Sequence, residues 1–327
     1  MSFLASRRAA LSACLALACS AAWSQLAPGG HVTLVVPYPA GGPSDAIGRV
    51  MSGSLGRELG HTVIVSNIAG ASGTLGAQQV LRAPADGRHI LQGSPNEVIL
   101  APLAIAAARL RAEDFRLVHP VADAVMVVAT RADLGVRSVD DLVALARRSA
   151  DRPLTYGSVG IGSLNHFVAE DVQRRTGIRL QHVPYRGNAP LITDLAGGQV
   201  DFAVLVYSAA LGGMAEQGRL RVIAQLGAQR SELLRNVPTV AEGQSLPNFS
   251  YRTWTGFMVP VATPEAVVQQ LHSAIGRTLK DPDVRARLAA QTQLEAAPMS
   301  LAEAGRFFES EMARYRALAT AIGLQPQ

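Results

Sequence analysis

Short apolar runs alternate with stretches in which apolar residues recur at helical intervals. A β-type run covers residues 32–37, and apolar positions then follow helical spacing from Ile47 to Leu59, with Gly60 placed to end the helix. A second short strand is predicted at residues 63–65. Because strands that alternate with helices are joined by right-handed crossovers, this order predicts a parallel sheet.

The same order of strand, loop and helix returns in the second half of the chain. A strand at residues 154–156 precedes a glycine-rich loop at 157–162 and a helix from about residue 163 to residue 175. A chain of 327 residues is long enough for about two domains. The sequence therefore predicts an α/β protein with two lobes, each a mainly parallel sheet flanked by helices.

Two apolar runs lie where the chain would pass from one lobe to the other, at residues 125–128 and 257–259. We expect lobe 1 to contain residues 25–122 and 245–327, and lobe 2 to contain residues 123–244. A ligand cleft is expected between the lobes.

The first 24 residues have the pattern of a secretory signal peptide. Arg7 and Arg8 precede an apolar run at residues 9–23, which ends in a small-x-small pattern. The run is shorter than the roughly 20 residues that a membrane span requires. We expect residues 1–24 to be cleaved and the mature chain to reside in the periplasm. A twin-arginine export route and a lipid anchor at Cys14 remain as alternatives.

Composition excludes several classes of function. Both cysteines, Cys14 and Cys19, lie in the predicted signal peptide, so the mature chain would have neither a disulfide nor a cysteine nucleophile. The 30 basic and 25 acidic residues are scattered without a Lys/Arg-rich run, which argues against nucleic-acid binding. The histidines lack His-x-x-x-His spacing, and we expect no metal and no cofactor.

Ser158 and Ser163, close to His166, allow a hydrolase interpretation. Neither serine lies in a Gly-x-Ser-x-Gly elbow. Ser163 and His166 are one helical turn apart, a spacing that suits hydrogen bonding at a helix start. We therefore expect a protein that is not an enzyme and keep an exported α/β hydrolase as an alternative.

Glycine-rich loops follow predicted strands in both halves of the chain. At the carboxyl ends of parallel strands, backbone N–H groups and helix N-termini form anion sites. Two lobes that face each other would offer such loops from both sides, which suits a small molecule with a negative group at each end, such as a dicarboxylate. The loop at residues 70–76 lacks the dinucleotide fingerprint, and no Gly-Lys-Ser/Thr sequence marks a phosphate loop.

The loops, taken in order, resemble those of a known family. Their sequences are Val-Pro-Tyr-Pro-Ala-Gly-Gly-Pro-Ser-Asp at 36–45, Gly-Ala-Ser-Gly at 70–73, Tyr-Gly-Ser-Val-Gly-Ile-Gly-Ser at 156–163 and His-Val-Pro-Tyr-Arg-Gly at 182–187. Together they resemble the Bug family, the TctC-like periplasmic substrate-binding proteins of tripartite tricarboxylate transporters. The resemblance implies a periplasmic-binding-protein fold of type II, a Venus flytrap that closes by a hinge motion.

The resemblance also implies which residues bind the ligand. Members of the family hold one carboxylate mostly through backbone amides and ordered water on lobe 1, and lobe 2 closes on the other end. The matching positions are Tyr38, Ala40, Gly41, Gly42, Ser44, Asp45, Ala71, Ser72, Gly157, Ser158, Gly162, Ser163, His166, Tyr185, Gly187 and Asp201.

The function implied is capture of a small carboxylate: a di- or tricarboxylate, an amino acid or an aromatic acid. The expected partners are the integral-membrane permease subunits of a tripartite tricarboxylate transporter, to which a monomeric binding protein would deliver its solute. An alternative is a ligand-sensing protein that acts on a membrane sensor kinase. The sequence does not select among the carboxylates.

Overall fold

The computed structural model describes Leu26 and residues 29–323. The predicted signal peptide at residues 1–24 lies outside the described residues, so its cleavage stays a prediction. Within the described part of the chain, no helix is long and apolar enough to cross a membrane.

The first sheet has six strands of mixed direction. They are β1 (His31–Val36), β2 (Thr62–Asn67), β3 (His89–Gly93), β4 (Phe115–Ala124), β10 (Thr253–Pro260) and β11 (Leu294–Glu295). Across the sheet the order is β11-β4-β10-β3-β1-β2. Strand β1 pairs in parallel with β2 and β3, whereas β10 runs antiparallel to both β3 and β4, and β11 antiparallel to β4.

The second sheet has five strands. They are β5 (Met126–Arg131), β6 (Leu154–Ser158), β7 (Leu180–Pro184), β8 (Phe202–Val206) and β9 (Leu220–Gln225). Their order is β7-β6-β8-β5-β9. Strand β6 pairs in parallel with β7 and β8, and β5 runs antiparallel to β8 and β9.

The α/β class and the two-sheet architecture are confirmed. In the first sheet β1, β2, β3 and β4 share one direction, in the second β6, β7, β8 and β9 do, and β5, β10 and β11 run against these strands. For β5 and β10 the reason is the path of the chain between the sheets. Strand β4 leads into β5 through Val125 alone, and the chain returns from β9 to β10. A strand that receives the chain from the other sheet starts at the edge where the parallel strands end. Strands β5 and β10 therefore run opposite to their parallel neighbours.

Helices cover both sheets. They are α1 (Pro43–Leu59), α2 (Thr74–Arg82), α3 (Ala101–Ala104), α4 (Val139–Arg148), α5 (Leu164–Thr176), α6 (Asn188–Ala196), α7 (Ala209–Glu216), α8 (Glu265–Lys280), α9 (Pro282–Ala290) and α10 (Leu301–Ile322). A short π-helix, Asn96–Leu100, follows β3. As the sequence predicts, Gly60 ends α1 in the left-handed conformation, where its lack of a Cβ avoids strain.

The core is formed by apolar faces of both sheets and their helices. Met51 and Leu55 of α1 are buried in the same cluster as Leu34, Phe257 and Leu271. Helix α10 packs on β4 and also contacts the π-helix and α5, so it touches elements associated with both sheets. This packing fixes the loops at the carboxyl ends of the parallel strands opposite one another.

Candidate ligand-binding cleft

A cavity lies between the loops of the two sheets; we call it the inner cavity. Its empty volume, including the part open to solvent, is about 660 Å³. On the first-sheet side it is lined by Tyr38 and by the start of α1, and on the second-sheet side by Val159 and the start of α6. Residues from β4, β8 and β10 complete the wall. The inner cavity therefore lies where loops of the two sheets face each other.

Two helices begin at the wall of the inner cavity. Helix α1 starts at Pro43 after Gly42, and α6 starts at Asn188 after Gly187. Neither preceding glycine has a side chain that could accept a hydrogen bond from the first turn of its helix. The first N–H groups of a helix carry a partial positive charge, and without a side-chain cap they can hydrogen-bond to an anion.

The lining of the inner cavity is uncharged. Every lining residue belongs to the described part of the chain, and none of them is Asp, Glu, Lys, Arg or His. The side-chain oxygen of Asn188 has no hydrogen-bond partner among the described residues. An anion in this cavity would therefore be held by neutral donors and helix starts. Across residues 29–323, no group of three or more His, Cys, Asp or Glu could hold a metal ion.

A second cavity adjoins the first and shares Tyr38 and Val159 with it; we call it the outer cavity. It lies between the turn at residues 70–73 and the loops around Ile161 and Arg186, and its empty volume, including the part open to solvent, is about 1020 Å³. In that turn, Ala71 and Ser72 adopt positive φ angles of 46° and 52°. This backbone conformation is strained for residues with a side chain.

The two sides touch across the cleft, so the structure is in a closed arrangement. The hydroxyl of Ser72 donates to the carbonyl of Ile161. The backbone N–H of Leu164, the first residue of α5, donates to Oδ1 of Asn96 at 2.8 Å. An N–H group that α5 cannot satisfy within its own first turn is thus satisfied by a residue of the opposite side.

A buried carboxyl group lies directly behind the inner cavity. Glu97 is 0% exposed and accepts hydrogen bonds from the Tyr38 hydroxyl at 3.1 Å and from the Ser94 hydroxyl at 2.8 Å. Burial raises the pKa of Glu97 to about 7, although the hydrogen bonds from Ser94 and Tyr38 oppose the shift. The pKa of Tyr38 is raised by its own burial and by the nearby charge of Glu97.

Seven of the residues predicted from the sequence line these two cavities. Tyr38, Gly42, Ser44 and Gly187 line the inner cavity. Ala71, Ser72 and Tyr185 line the outer cavity, together with Tyr38. Gly41 lines a neighbouring recess, and Ala40 is exposed beside it.

Asp45 lies behind the loop and not in either cavity. Its carboxylate accepts hydrogen bonds from the N–H of Gly41 at 2.9 Å, from Asn67 at 3.1 Å and from Arg49 at 2.9 Å. Burial opposes ionisation, but these hydrogen bonds outweigh it and lower the pKa of Asp45. The geometry gives Asp45 a supporting role: it holds the loop in which Gly42 and Ser44 reach the cavity.

Asp201 lies at the opposite end of its sheet from the glycine-rich loops. It precedes β8, and its carboxylate accepts from the N–H of Thr155 at 2.8 Å and from Arg131 at 3.0 Å. Because parallel strands begin at one edge and end at the other, a residue before β8 cannot reach the cleft. Its hydrogen bonds instead connect the segment before β8 to the start of β6 and the end of β5.

Three of the predicted site residues belong to the loop at 157–162 and are buried: Gly157, Ser158 and Gly162. Ser163 and His166, which follow this loop, are buried as well. Ser158 contacts Nε2 of His182 at 2.7 Å, and the ring of His182 stacks on that of His166 with centroids 4.3 Å apart. Burial lowers the pKa of both histidines to about 4. None of these side chains lines the inner or outer cavity, so the Ser–His contact supports the loop and offers no exposed nucleophile.

Sequence reasoning missed several residues of the cleft. Asn96 and Glu97 follow β3, and the rule that sites lie at the carboxyl ends of strands could have found them. Thr253, Thr255 and Gln293 also line the inner cavity but come from β10 and the segment before β11. No local signal marks them, because only the return of the chain from the second sheet brings them to the cleft.

The chain matches a family model and is similar to several known proteins. The model of the family described as "Tripartite tricarboxylate transporter family receptor" matches residues 47–324. The chain is 32% identical over 270 residues to protein BugT of Bordetella pertussis, covering 81% of each chain. It is 33% identical over 296 residues to a UPF0065 protein from the tcbD-tcbE intergenic region of Pseudomonas sp. strain P51, covering 89% of this chain and 86% of that one.

Solved structures with the same fold include three binding proteins. Rpa4515 of R. palustris, solved with adipate, has a TM-score of 0.84 and 30% identity, covering 92% of this chain and 99% of its own. MatC of Rhodopseudomonas palustris, with bound malate, has a TM-score of 0.83 and 25% identity, covering 89% and 99%. The periplasmic binding protein BugD has a TM-score of 0.82 and 27% identity, covering 92% and 100%. These matches confirm the two-lobed fold.

Proposed function

Because the chain belongs to the tripartite tricarboxylate transporter receptor family, we propose that it is a periplasmic solute-binding protein that captures a small carboxylate. Residues 25–122 and 245–327 would form lobe 1 and residues 123–244 lobe 2, after removal of residues 1–24. The protein would act as a monomer without enzymatic activity and deliver its solute to the permease subunits of a tripartite transporter.

The observation that carries the proposal is the pair of helix starts on opposite walls of the inner cavity. Gly42 and Gly187 precede α1 and α6 and leave both first turns without a side-chain cap. Each helix start is equivalent to roughly half a positive charge. No acidic side chain lines the cavity itself, and the Asp45 carboxylate in the first turn of α1 is paired with Arg49, so the two helix starts favour an anion over a cation.

The wall between the two helix starts favours a ligand with an apolar body. Ile47, Ala124, Val159 and Val206 contribute apolar surface there. A molecule with a short carbon chain and a carboxylate at each end would place its charges at the helix starts and its chain against these residues. Two relatives bind acids of this kind, since their structures contain malate and adipate.

A thermal-shift screen of the mature protein, unfolded and refolded to remove any carried-over ligand, tests the proposal. The panel contains aliphatic di- and tricarboxylates, acidic amino acids and aromatic acids. A ligand at 100 times its Kd adds about 2.7 kcal/mol of stability. At about 2 °C per kcal/mol for a protein of this size, the expected rise in Tm is about 5 °C.

Uncharged analogues of the same length provide the matched control, for example 1,6-hexanediol beside adipate. The proposal expects the acid to raise the Tm and the diol to leave it unchanged. A panel in which no carboxylate raises the Tm, or in which acid and diol act equally, would contradict carboxylate binding.

A further inference from the structure

Glu97 is a buried acid whose charge nothing nearby balances. Its oxygens accept hydrogen bonds from the N–H and hydroxyl of Ser94 and from the hydroxyl of Tyr38. These donors are neutral, and within residues 29–323 no Lys, Arg or His forms an ion pair with Glu97. Ser94 and Tyr38 both line the inner cavity. A carboxylate ligand in the inner cavity would therefore be separated from the Glu97 carboxyl group by a single side chain, that of Ser94 or Tyr38.

Among the described residues, no charged group on the elements packed around the π-helix bonds to Glu97. The π-helix contacts α2, α3, α10, β3 and the turn at residues 71–73. On α2 the charged side chain is Arg82, which bonds to Gln78. On α10, the Trp254 ring N–H donates to Glu311, and Arg314 and Arg316 bond to carboxylates. Helix α10 also carries Glu303, Arg306 and Glu309, and β3 begins with His89; none of these four forms a hydrogen bond or ion pair with Glu97 among the described residues. The titratable group in contact with Glu97 is therefore Tyr38.

A chain of hydrogen bonds connects Glu97 to the ligand side. Asn96 donates through Nδ2 to the Tyr38 oxygen at 3.1 Å, and the Tyr38 hydroxyl donates to Oε2 of Glu97 at 3.1 Å. While Glu97 is ionised, the one hydroxyl proton of Tyr38 is committed to it. Once Glu97 carries a proton, it can donate to the Tyr38 oxygen instead, since a phenol oxygen also accepts hydrogen bonds. The Tyr38 proton is then free to turn into the cavity.

We propose that Glu97 is a proton-binding positioning residue of the ligand site, which becomes a neutral acid when a carboxylate binds and turns the Tyr38 hydroxyl toward that ligand. Above about pH 7, where Glu97 is ionised before the ligand enters, up to one proton passes from solvent to Glu97 for each anion captured. This inference rests on the proposed function and adds to it that a carboxylate enters together with a proton.

The direction of the pH effect follows from the linkage. In the ligand-free protein the pKa of Glu97 is raised to about 7 by burial. A ligand anion in the adjoining cavity raises the pKa further, because like charges disfavour ionisation. Binding is therefore strongest below about pH 7. The affinity falls by up to about tenfold per pH unit above it, until the pKa of the complex is passed.

Isothermal titration with adipate from about pH 6.5 to about pH 9, where an aliphatic dicarboxylate stays ionised, tests the inference. Titrations in phosphate and in Tris, whose ionisation enthalpies differ, count the protons taken up. The wild-type protein is expected to bind more weakly as the pH rises and to take up close to one proton near pH 8. Glu97→Gln, a neutral donor of the same shape, is expected to bind with pH-independent affinity and no proton uptake.

The matched control is Glu170→Gln. Glu170 accepts from the Tyr156 hydroxyl at 2.8 Å, so it forms a similar Tyr–Glu pair, but it lines neither cavity. Its pH profile is expected to follow that of the wild type. Should Glu97→Gln fail to fold, Tyr38→Phe tests the same hydrogen-bonded connection. Because one hydrogen bond to a charged group is missing, its affinity for adipate at pH 6.5 is expected to be about tenfold lower than that of the wild type.

The outcomes separate this inference from the proposed function. Adipate binding with no proton uptake, or with the same pH dependence in Glu97→Gln as in the wild type, overturns the role of Glu97 alone. Absence of adipate binding at every pH, together with a Tm screen in which no acid responds, overturns the carboxylate-binding function and this inference with it.

Discussion

Replacement of Gly162 by alanine is expected to hinder closure of the cleft. Gly162 has a φ of +76°, and a Cβ built there would lie 2.8 Å from Cβ of Ala104 and 2.9 Å from Cα of Ala101. Both alanines belong to the segment after β3, on the other side of the cleft. A side chain that collides with the backbone of the opposite side obstructs the closed form while leaving the open form unhindered.

The Gly162→Ala substitution has two free-energy penalties, which have to be separated. Alanine in the left-handed region costs about 1–2 kcal/mol in any arrangement of the lobes. Overpacking against Ala101 and Ala104 adds about 1–3 kcal/mol to the closed form alone. Since each 1.4 kcal/mol is about tenfold in affinity, the second cost predicts a loss of roughly 5- to 150-fold in carboxylate binding.

Gly177→Ala is the matched control, because Gly177 has a φ of +69° at the end of α5 and nothing lies within 4 Å of its built Cβ. Both variants are expected to lose similar stability, measured by chemical denaturation. Only Gly162→Ala should lose affinity for adipate by calorimetry and show a larger radius of gyration by small-angle X-ray scattering. Equal affinity and equal dimensions in the two variants would refute the argument.

Three further predictions concern the groups behind the cleft. Asp45→Ala leaves its loop donors unpaired and should cost about 1–3 kcal/mol of stability, weakening binding through the loop; unchanged denaturation and affinity would contradict the supporting role. Burial lowers the pKa of His166 to about 4, so the stability that its neutral form contributes is full above pH 6.5 and is lost as the pH falls toward 4. In a series of denaturation curves at different pH, His166→Gln should reduce this fall in the free energy of unfolding. Trp254→Phe removes a 2.8 Å hydrogen bond to buried Glu311 and should cost about 1–3 kcal/mol without changing adipate affinity, which calorimetry beside thermal melts would show.

Local pattern alone was enough to place several elements of the fold. The apolar run at residues 32–37, the helical spacing from Ile47 to Leu59 and the stop at Gly60 correspond closely to β1 and α1. The predicted helix at 163–175 is α5, which begins one residue later because Ser163 caps it. Patterns of this kind depend on which face of a segment is buried, and neighbours in sequence determine that face.

The loop motifs also indicated the family of the protein, and the comparisons with known proteins confirm this family. Several glycines of these loops lie where the backbone needs positive φ or close approach. Gly187 has a φ of +145°, and Gly162 packs against the opposite side of the cleft. Such positions admit few other residues, and for that reason the motif is readable in a single sequence.

The tertiary structure decided what the loops do. Asp45 and Asp201 carry charges that suggest ligand contact, yet both carboxylates are bound by protein donors away from the cavities. Asn188 lines the inner cavity, and Glu97 lies buried behind it, although neither stands out in the sequence. The direction of β5 and β10 likewise follows from the path of the chain between the sheets. A sequence pattern records which side of a segment avoids water, whereas the distance between segments tens to hundreds of residues apart is set only when the sheets and helices pack.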